Sequence, residues 1–250
     1  MRNIDILDTT TITKHISADV AITVLNTVNS TNTYLAELQP QQMTACVAQQ
    51  QTAGRGQLDK QWQSQAGNIF LSLAYPVAKT QDLTGLSLVA GLAVCAAVEQ
   101  HCELKHSLQL KWPNDILANA KKLAGILIET QPSADKKITI IGVGLNIVPV
   151  SSNWISLTEV SDSKIERNIL IADIINSLQQ SMQDYINAGL QQFITRWNKS
   201  DYLRGKQIQL QSGQQLYSGI CQGIDDNARI VLRLESGVDK AFASANIQLY

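Results

Sequence analysis

The periodicity of the apolar residues changes once along this chain, and that change limits the folds it can adopt. Up to about residue 203, stretches with helical spacing alternate with short apolar runs typical of strands. From Arg204-Gly205 onward, short segments with period-two alternation are separated by turns such as Asp225-Asp226-Asn227 and Ser236-Gly237. We therefore predict two domains. Residues 1–203 form an α+β domain with a mixed sheet flanked by helices, and residues 204–250 form a small SH3-like β-barrel.

The individual elements follow from the same patterns. Strands of the first domain are predicted at Ala21–Val28, Met43–Gln49, Ile69–Tyr75, Leu108–Trp112, Lys122–Glu129 and Lys137–Ile147. Helices are predicted from Ser30 or Thr31 to Leu38, and at Leu83–Glu103, Ile169–Tyr185 and Leu190–Trp197. Strands of the second domain are predicted at Gln207–Gln211, Gln215–Gly223, Ala228–Glu235 and Ala241–Tyr250. Residues 1–19 are polar and weakly patterned, and Gln51–Gly67 is a long loop.

Composition argues against several classes of protein. The 250 residues carry a formal net charge of -1, which gives no reason to expect a nucleic-acid partner, and residues 1–19 are too short for a DNA-binding domain. No apolar run reaches the roughly 18 residues of a membrane span, and the N terminus does not resemble a signal peptide. Both observations favour the cytoplasm. Four cysteines lack C-x-x-C spacing and three histidines are scattered, so we expect reduced, packed thiols and no zinc site.

The segment Lys111-Trp112-Pro113-Asn114-Asp115 is the strongest local signal of a functional site. A strand end followed by a turn explains its last three residues. It does not explain Lys111, because lysine is rarely buried unless it is paired. Lys122 opens a second apolar strand, and it could equally be an exposed lysine at a strand start. Placed together, the two lysines and Asp115 could surround an anionic reacting centre, such as a phosphoryl group with its magnesium.

Three further segments accompany this motif. Gln51-Thr52-Ala53-Gly54-Arg55-Gly56-Gln57 opens a loop that exceeds the roughly 12–15 residues beyond which loops in compact domains are usually functional or disordered. A glycine pair alone is more often structural, but the amides of such a loop can converge on an anion, and Arg55 can add a bidentate contact. Gly142-Val143-Gly144-Leu145-Asn146 follows downstream. Ser30-Thr31-Asn32 is first of all a helix N-cap.

In this order and spacing the glycine-rich segments and the Lys111–Asp115 motif resemble the catalytic domain of biotin–protein ligases, closely from about Val28 to Asn146 and more loosely to Tyr250. The resemblance implies a class II synthetase-like ligase core and the family's C-terminal domain, without an N-terminal DNA-binding domain. The implied catalytic residues are Arg55, Lys111, Asp115 and Lys122. The implied biotin site is Ser30, Thr31, Asn32, Gln51, Gly54, Arg55, Gly56, Gln57, Lys122, Gly125 and Gly142. The implied nucleotide site is Arg55, Trp62, Lys111, Asn114, Asp115 and Asn146, with Asp115 near magnesium.

The chain departs from the family pattern in the glycine-rich loop. Many members carry further arginines where this chain has Gln57 and Leu58, and another glycine where it has Asp59. Fewer positive charges should weaken the hold of the loop on an anionic intermediate, which leaves Arg55 as its principal charged contact. We expect the loop, Gly54–Gly67, to be mobile without ligand and ordered with the adenylate.

The resemblance implies an enzyme that uses biotin and ATP as substrates, with Mg2+. Biotin would be activated as biotinyl-5′-AMP and transferred to a lysine of a biotin carboxyl carrier protein, with neither nucleic acid nor a membrane as partner. A lipoate–protein ligase would use equivalent chemistry. A biotin-responsive DNA-binding repressor would need a winged-helix domain ahead of the ligase core. The sequence leaves the oligomeric state open, a homodimer included.

Overall fold

The computed structural model describes residues 6–17, 19–57 and 60–249. Its helices are α1 (Thr9–His15), α2 (Thr31–Leu38), α3 (Leu86–His101), α4 (Leu157–Val160), α5 (Arg167–Ala188) and α6 (Gln191–Ser200). Its strands are β1 (Ala21–Val28), β2 (Thr44–Gln51), β3 (Ile69–Ala78), β4 (Gln109–Lys111), β5 (Asp115–Ala118), β6 (Lys121–Ser133), β7 (Lys136–Leu145), β8 (Gln207–Ser212), β9 (Gln215–Ile224), β10 (Ile230–Leu234), β11 (Asp239–Phe242) and β12 (Asn246–Leu249). Within the described residues, no helix combines the length and apolarity needed to cross a membrane.

Seven strands form one mixed sheet in the order β1-β2-β3-β7-β6-β5-β4. β1 and β2 are parallel, whereas all the other neighbouring strands of this sheet are antiparallel. Helices α3 and α5 pack together and bury one face of the sheet in the main core. Helix α2 covers part of the opposite face, where Leu35 packs in a smaller cluster with Cys46 and Ile140. The predicted α+β fold with a mixed sheet and flanking helices is confirmed.

Four segments differ from the prediction, and one of them is α4, whose four residues are too few to show a periodicity. Part of the segment described as polar and weakly patterned forms α1, because Asp8 caps its first amides and Ile12 is buried in the core that α5 helps to form. β5 was not predicted, because four residues are too few to show a periodicity. The single strand predicted at Ala241–Tyr250 is instead two strands, β11 and β12. Residues 1–5, 18 and 250, which fall in these predicted segments, lie outside the described residues.

The last five strands form a separate antiparallel sheet in the order β11-β10-β9-β8-β12, as expected of a small SH3-like domain. Backbone and side-chain hydrogen bonds attach it to the first domain. Trp112 Nε1 donates to the carbonyl of Ala228 at 2.9 Å. The amide of Ile224 donates to Asn198 Oδ1 at 3.0 Å. The domain boundary at residues 203 and 204 stays a prediction.

Asp201 is buried at this junction and makes stability depend on pH. Its Oδ1 accepts a hydrogen bond from the amide of Leu203 at 2.9 Å, whereas Oδ2 has no partner among the described residues. Burial raises the pKa of Asp201 from 3.8 to about 6. The folded state therefore binds this proton more tightly than the unfolded state. The resulting stabilisation is complete below about pH 4 and is lost as the pH rises through about 6.

We expect Asp201→Asn to raise the free energy of unfolding at pH 7.5 by about 1–3 kcal/mol relative to the parent, and to change it little at pH 4. Asparagine keeps an acceptor for the Leu203 amide and removes the buried charge. Urea denaturation at the two pH values measures the effect, with Asp226→Asn at an exposed position as the control. If Asp201→Asn lowered the free energy of unfolding equally at both pH values, the buried charge of Asp201 would not be the source of the pH dependence of stability.

Candidate functional site

A cavity of about 1140 Å³ lies over the sheet face that α2 only partly covers. Parts of β6 and β7, the start of α2, the loop after β2, the β4–β5 turn and residues 243–248 of the C-terminal domain surround it. Most residues that the sequence predicted for the site line this cavity: Ser30, Thr31, Asn32, Gln51, Arg55, Gly56, Gln57, Trp62, Lys111, Asn114, Asp115, Lys122, Gly125 and Gly142. Gly54 and Asn146 are not part of its wall.

Strand register brings the residues of the two lysine-containing segments together. Lys111 pairs with Asp115 across β4 and β5, Asp115 pairs with Gly125 on β6, and Gly125 pairs with Gly144 on β7. Directly opposed residues of antiparallel strands have Cβ atoms about 4.5–5.5 Å apart. A single row across four strands therefore places these sequence-distant residues at one level of the cavity.

A β-bulge turns Lys122 toward this row. The pairing between β5 and β6 shifts by one residue just before Ala124. Leu123 and Ala124 are both fully buried in the main core, on the face opposite the cavity. Because of the shift, the side chain of Lys122 returns to the face of Gly125, which a regular alternation would not allow.

Lys122 and Asp115 form an ion pair inside the cavity. Lys122 Nζ lies 2.6 Å from Asp115 Oδ1, and both side chains are about three-quarters buried, with 27% and 25% exposed. The same ammonium lies 5.3 Å from the centre of the Trp62 ring. Lys111 also lines the cavity, and its ammonium makes no ion pair with any described residue. Lys60 lines the cavity as well and makes no ion pair with a described residue, so at least two cations there lack a charged partner among the described residues, which favours an anionic ligand.

The two asparagines of the predicted nucleotide site hold backbone in place. Asn114 Nδ2 donates to the carbonyl of Ile126 at 2.7 Å, and the amide of Ile126 donates back to Asn114 at 2.9 Å. These bonds fix the β4–β5 turn against β6. Asn146 is buried, and its Nδ2 donates to the carbonyl of Ile155 at 3.2 Å. The structure therefore places Asn146 beneath the segment that follows β7, away from the cavity.

A network of neutral polar side chains forms a second part of the cavity. Ser30 caps α2, as expected, by accepting from the Thr33 amide. The amide and the hydroxyl of Thr31 both donate to Gln51 Oε1, at 2.9 and 3.2 Å. Gln51 Nε2 donates to Ser64 Oγ at 3.1 Å. These contacts orient the Gln51 amide and join α2, β2 and the long loop.

Both ends of the Asn32 amide are held by the protein. Ser72 Oγ lies 2.5 Å from Asn32 Oδ1, and Asn32 Nδ2 donates to Glu129 Oε2 at 2.8 Å. A Cβ at Gly142 would lie 2.3 Å from Asn32 Oδ1. The absence of a side chain at position 142 therefore leaves room for the side chain of Asn32. Gly142 also lines the cavity, and its implied place in the biotin site stays a prediction.

Trp62 lines the cavity and packs against glycines of β6 and β7. A Cβ at Gly144 would lie 2.3 Å from Trp62 Cε2, and one at Gly125 would lie 3.0 Å from Trp62 Cζ3. The ring of Trp154 lies 4.9 Å from that of Trp62, with 31° between their planes. These two glycines thus allow an aromatic pair to line the cavity beside Lys122.

The glycine-rich loop folds back on itself as a hairpin. The amide of Trp62 donates to the carbonyl of Gly54 at 2.9 Å, and the amide of Gly56 donates to Lys60 at 2.7 Å. Gly54 is needed because a Cβ there would lie 2.7 Å from the Trp62 carbonyl. Leu58 and Asp59, where the chain departs from the family pattern, lie outside the described residues. The predicted mobility of this loop stays a prediction.

Among the residues whose polar or ring contacts shape the site, sequence reasoning missed Ser64, Ser72, Glu129 and Trp154, and it did not anticipate that residues 243–248 line the cavity. Their placement depends on strand pairing and loop path, which the sequence does not display. Glu129 alone carried a signal, because it shares a strand face with Gly125 and Leu127 in an apolar segment and lines the same cavity.

The described residues contain no group of three His, Cys, Asp or Glu side chains placed to hold a metal ion. The four cysteines are free and buried, in agreement with the expected packed thiols. Burial raises the pKa of the Cys46 thiol to about 12. This thiol is therefore protonated at neutral pH and a poor nucleophile.

Comparison with known proteins relates both parts of the chain to one family. Residues 24–146 match the Biotin/lipoate A/B protein ligase family, and residues 204–250 match the Biotin protein ligase C terminal domain. The Bifunctional ligase/repressor BirA of Escherichia coli K12 is 31% identical over 241 residues, which are 92% of this chain and 74% of that protein. The Biotin--[acetyl-CoA-carboxylase] ligase of Mycobacterium tuberculosis H37Rv is 33% identical over 196 residues, covering 74% of this chain and 71% of that protein. The biotin protein ligase of Aquifex aeolicus, solved in complex with biotin and ATP, has the same fold, with a TM-score of 0.81, 24% identity, and coverage of 92% of this chain and 99% of that chain.

Proposed function

Because this chain belongs to the biotin/lipoate A/B protein ligase family, we propose that it activates biotin as biotinyl-5′-AMP and transfers it to a lysine of a biotin carboxyl carrier protein. One observation carries the proposal. A single cavity holds a neutral hydrogen-bonding network around Thr31 and Gln51 and a cluster of charged groups around Lys111 and Lys122.

The shape and chemistry of biotin suit this division. Biotin carries a neutral ureido ring at one end and a carboxylate at the other. The ureido group needs donors and acceptors without charge, and the network around Thr31 and Gln51 supplies both. The carboxylate needs a cation, and Lys122 stands at the charged end of the cavity. The backbone of β6 and β7, with glycines at positions 125, 142 and 144, lies between them.

In the first step, a carboxylate oxygen of biotin attacks the α-phosphorus of ATP, and the bond to pyrophosphate breaks. Negative charge on the phosphate oxygens is distributed through the transition state, so the protein acts through positioning and electrostatic stabilisation. Lys122 holds the carboxylate close to the α-phosphate. Lys111, which has no ion-pair partner among the described residues, and Arg55 stabilise the phosphate charge.

Asp115 is the residue that fits a magnesium ion brought in with ATP. Protein sites commonly hold Mg2+ through one or two carboxylates together with substrate phosphates, and Asp115 supplies one carboxylate at the charged end of the cavity. When bound, the ion would neutralise phosphate charge. Asp115 also holds the ammonium of Lys122 at 2.6 Å, which would keep that cation at the charged end of the cavity, where the biotin carboxylate is proposed to bind.

In the second step, the amine of the acceptor lysine attacks the carbonyl of the mixed anhydride, and AMP leaves. A free lysine titrates near about 10.4, so the amine must lose a proton before it attacks. Asp115 is positioned to orient that amine or to accept its proton. A relative named for acetyl-CoA carboxylase supports a carboxylase carrier domain as the acceptor. The free thiols suit a reducing compartment, and we propose the cytoplasm.

The test is to incubate the protein with ATP, Mg2+ and either biotin or lipoate, and to detect the acyl-adenylate by mass spectrometry. We expect biotinyl-AMP in large excess over lipoyl-AMP, and no adenylate without ATP. A preference for lipoate would show that the protein is a lipoate–protein ligase instead. Absence of both adenylates would overturn the proposed function.

A further inference from the structure

We propose that Glu129 is a positioning residue that holds Arg55 and the glycine-rich loop over the cavity. The nature of the retained intermediate, an acyl-adenylate, rests on the proposed function, whereas the contact itself does not. Glu129 thereby sets how long a reactive intermediate remains enclosed before an acceptor arrives.

The contact between Arg55 and Glu129 has a two-pronged geometry. Arg55 Nη2 lies 2.7 Å from Glu129 Oε1, and Arg55 Nη1 donates to Glu129 Oε2 at 3.3 Å. Two parallel contacts fix the plane of the guanidinium as well as its distance from the carboxylate. The loop that carries Arg55 is therefore tied to the middle of β6, on the strand face that lines the cavity.

Glu129 is itself held in place from a third element. Asn32 Nδ2, on α2, donates to Glu129 Oε2 at 2.8 Å, and Ser72 on β3 holds the other end of the Asn32 amide. The chain of contacts thus runs from the Ser72 hydroxyl through Asn32 and Glu129 to Arg55. A carboxylate that is already oriented by α2 loses less freedom when it binds the arginine, which strengthens the contact.

The exposure of the Arg55–Glu129 ion pair indicates that its loss will affect local opening of the loop more than global stability. Half of the Arg55 side chain and 29% of the Glu129 side chain are exposed, so the pair adds little to global stability. Local opening of a loop requires far less free energy than unfolding of the domain. The hairpin between Gly54 and Trp62 has few backbone hydrogen bonds of its own, so one charged contact has a large share in keeping it closed.

The first experiment measures the loop without any ligand. Glu129→Gln keeps the volume and an acceptor for Asn32 but removes the charge that binds Arg55. We expect hydrogen exchange at the amides of Gly56 and Trp62 to become about threefold to tenfold faster, while the amides of β8 do not change. Asp239→Asn is the matched control, because it removes a carboxylate that holds Arg233 with two contacts of 2.8 Å in the C-terminal domain. Unchanged exchange at Gly56 and Trp62 in Glu129→Gln would overturn the proposal.

The second experiment tests whether Glu129 acts through Arg55. In a double-mutant cycle, Glu129→Gln should accelerate loop exchange in the parent protein but not in the Arg55→Gln background. Equal acceleration in both backgrounds would show a general structural role and would overturn the proposal. In the parent protein itself, high salt should accelerate exchange at Gly56 and Trp62 more than in β8, and an equal response would contradict the proposed contact.

The third measurement links the contact to the chemistry. Glu129→Gln should release biotinyl-AMP about threefold to tenfold faster than the parent, with the rate of adenylate formation changed less than the rate of release. If hydrogen exchange at the loop amides became faster but release of biotinyl-AMP did not, Glu129 would only hold the loop in position. Its proposed role in retaining the intermediate would then be overturned. If no adenylate formed even in the parent protein, the proposed function would be wrong. The exchange experiments would still show whether Glu129 holds Arg55 and the loop in place.

Discussion

Lys122→Ala is expected to lower the rate of biotinyl-adenylate formation by about two to three orders of magnitude and to weaken biotin binding at the same time. Both effects have one cause, because the proposed position of this ammonium is between the biotin carboxylate and the α-phosphate. The structure adds a second reason. Removing Lys122 leaves Asp115 with no cation at 2.6 Å, in a region that must accept a triphosphate. Quenched-flow measurement of adenylate formation and calorimetric titration with biotin provide the two readouts.

The neighbouring residue supplies the matched control for this prediction. Lys121 is exposed, and its Nζ donates to the carbonyl of Ser152 at 3.2 Å, outside the cavity wall. Lys121→Ala should therefore leave both measurements within about twofold of the parent. A Lys122→Ala protein that forms the adenylate at the parental rate would rule out the assigned role of Lys122.

Asp115→Asn is expected to lower turnover by about a hundredfold while changing biotin affinity by less than about threefold. Asparagine keeps the shape of the side chain and an oxygen that can accept a hydrogen bond from Lys122. It removes the negative charge that would share magnesium with the phosphates or accept the proton of the acceptor amine. Steady-state transfer to an acceptor domain and calorimetry with biotin separate the two quantities.

Asp162→Asn provides the comparison for this second prediction. Asp162 forms an exposed ion pair with Lys105 at 2.8 Å, so its variant tests the loss of a similar contact away from the cavity. It should retain parental turnover. The opposite pattern in Asp115→Asn, with biotin binding lost and turnover intact, would show that its role was misassigned.

The fold was predictable from sequence wherever the periodicity of a segment was long enough to identify it. α3 was anticipated because Leu, Val, Ala and Cys recur at helical spacing along it, and its true start at Leu86 follows from Gly85, whose φ of 78° interrupts regular helix. β5 was missed because its four residues, Asp115–Ala118, are too few for a pattern. α1 was missed because only Ile12 is fully buried, so its amphipathic character is weak.

The site was predictable where a residue type was unusual for its local structure. Lysines inside apolar strands identified Lys111 and Lys122, and their proximity to Asp115 is present in the structure. Partnerships across strands were not predictable, because they depend on register and on the bulge before Ala124. Glu129 is the main example, since its contacts lie 74 and 97 positions away in sequence.

The distribution of tryptophan gives the cavity an optical property. Three of the four tryptophans of the chain, Trp62, Trp112 and Trp154, line it. Indole emission shifts and changes in intensity with the polarity and the neighbours of the ring, and the ring of Trp62 already lies 4.9 Å from that of Trp154. Three of the four indole rings that can report by fluorescence therefore lie in the walls of one cavity. Ligand entry is expected to be visible in real time without a dye, a label or a substitution.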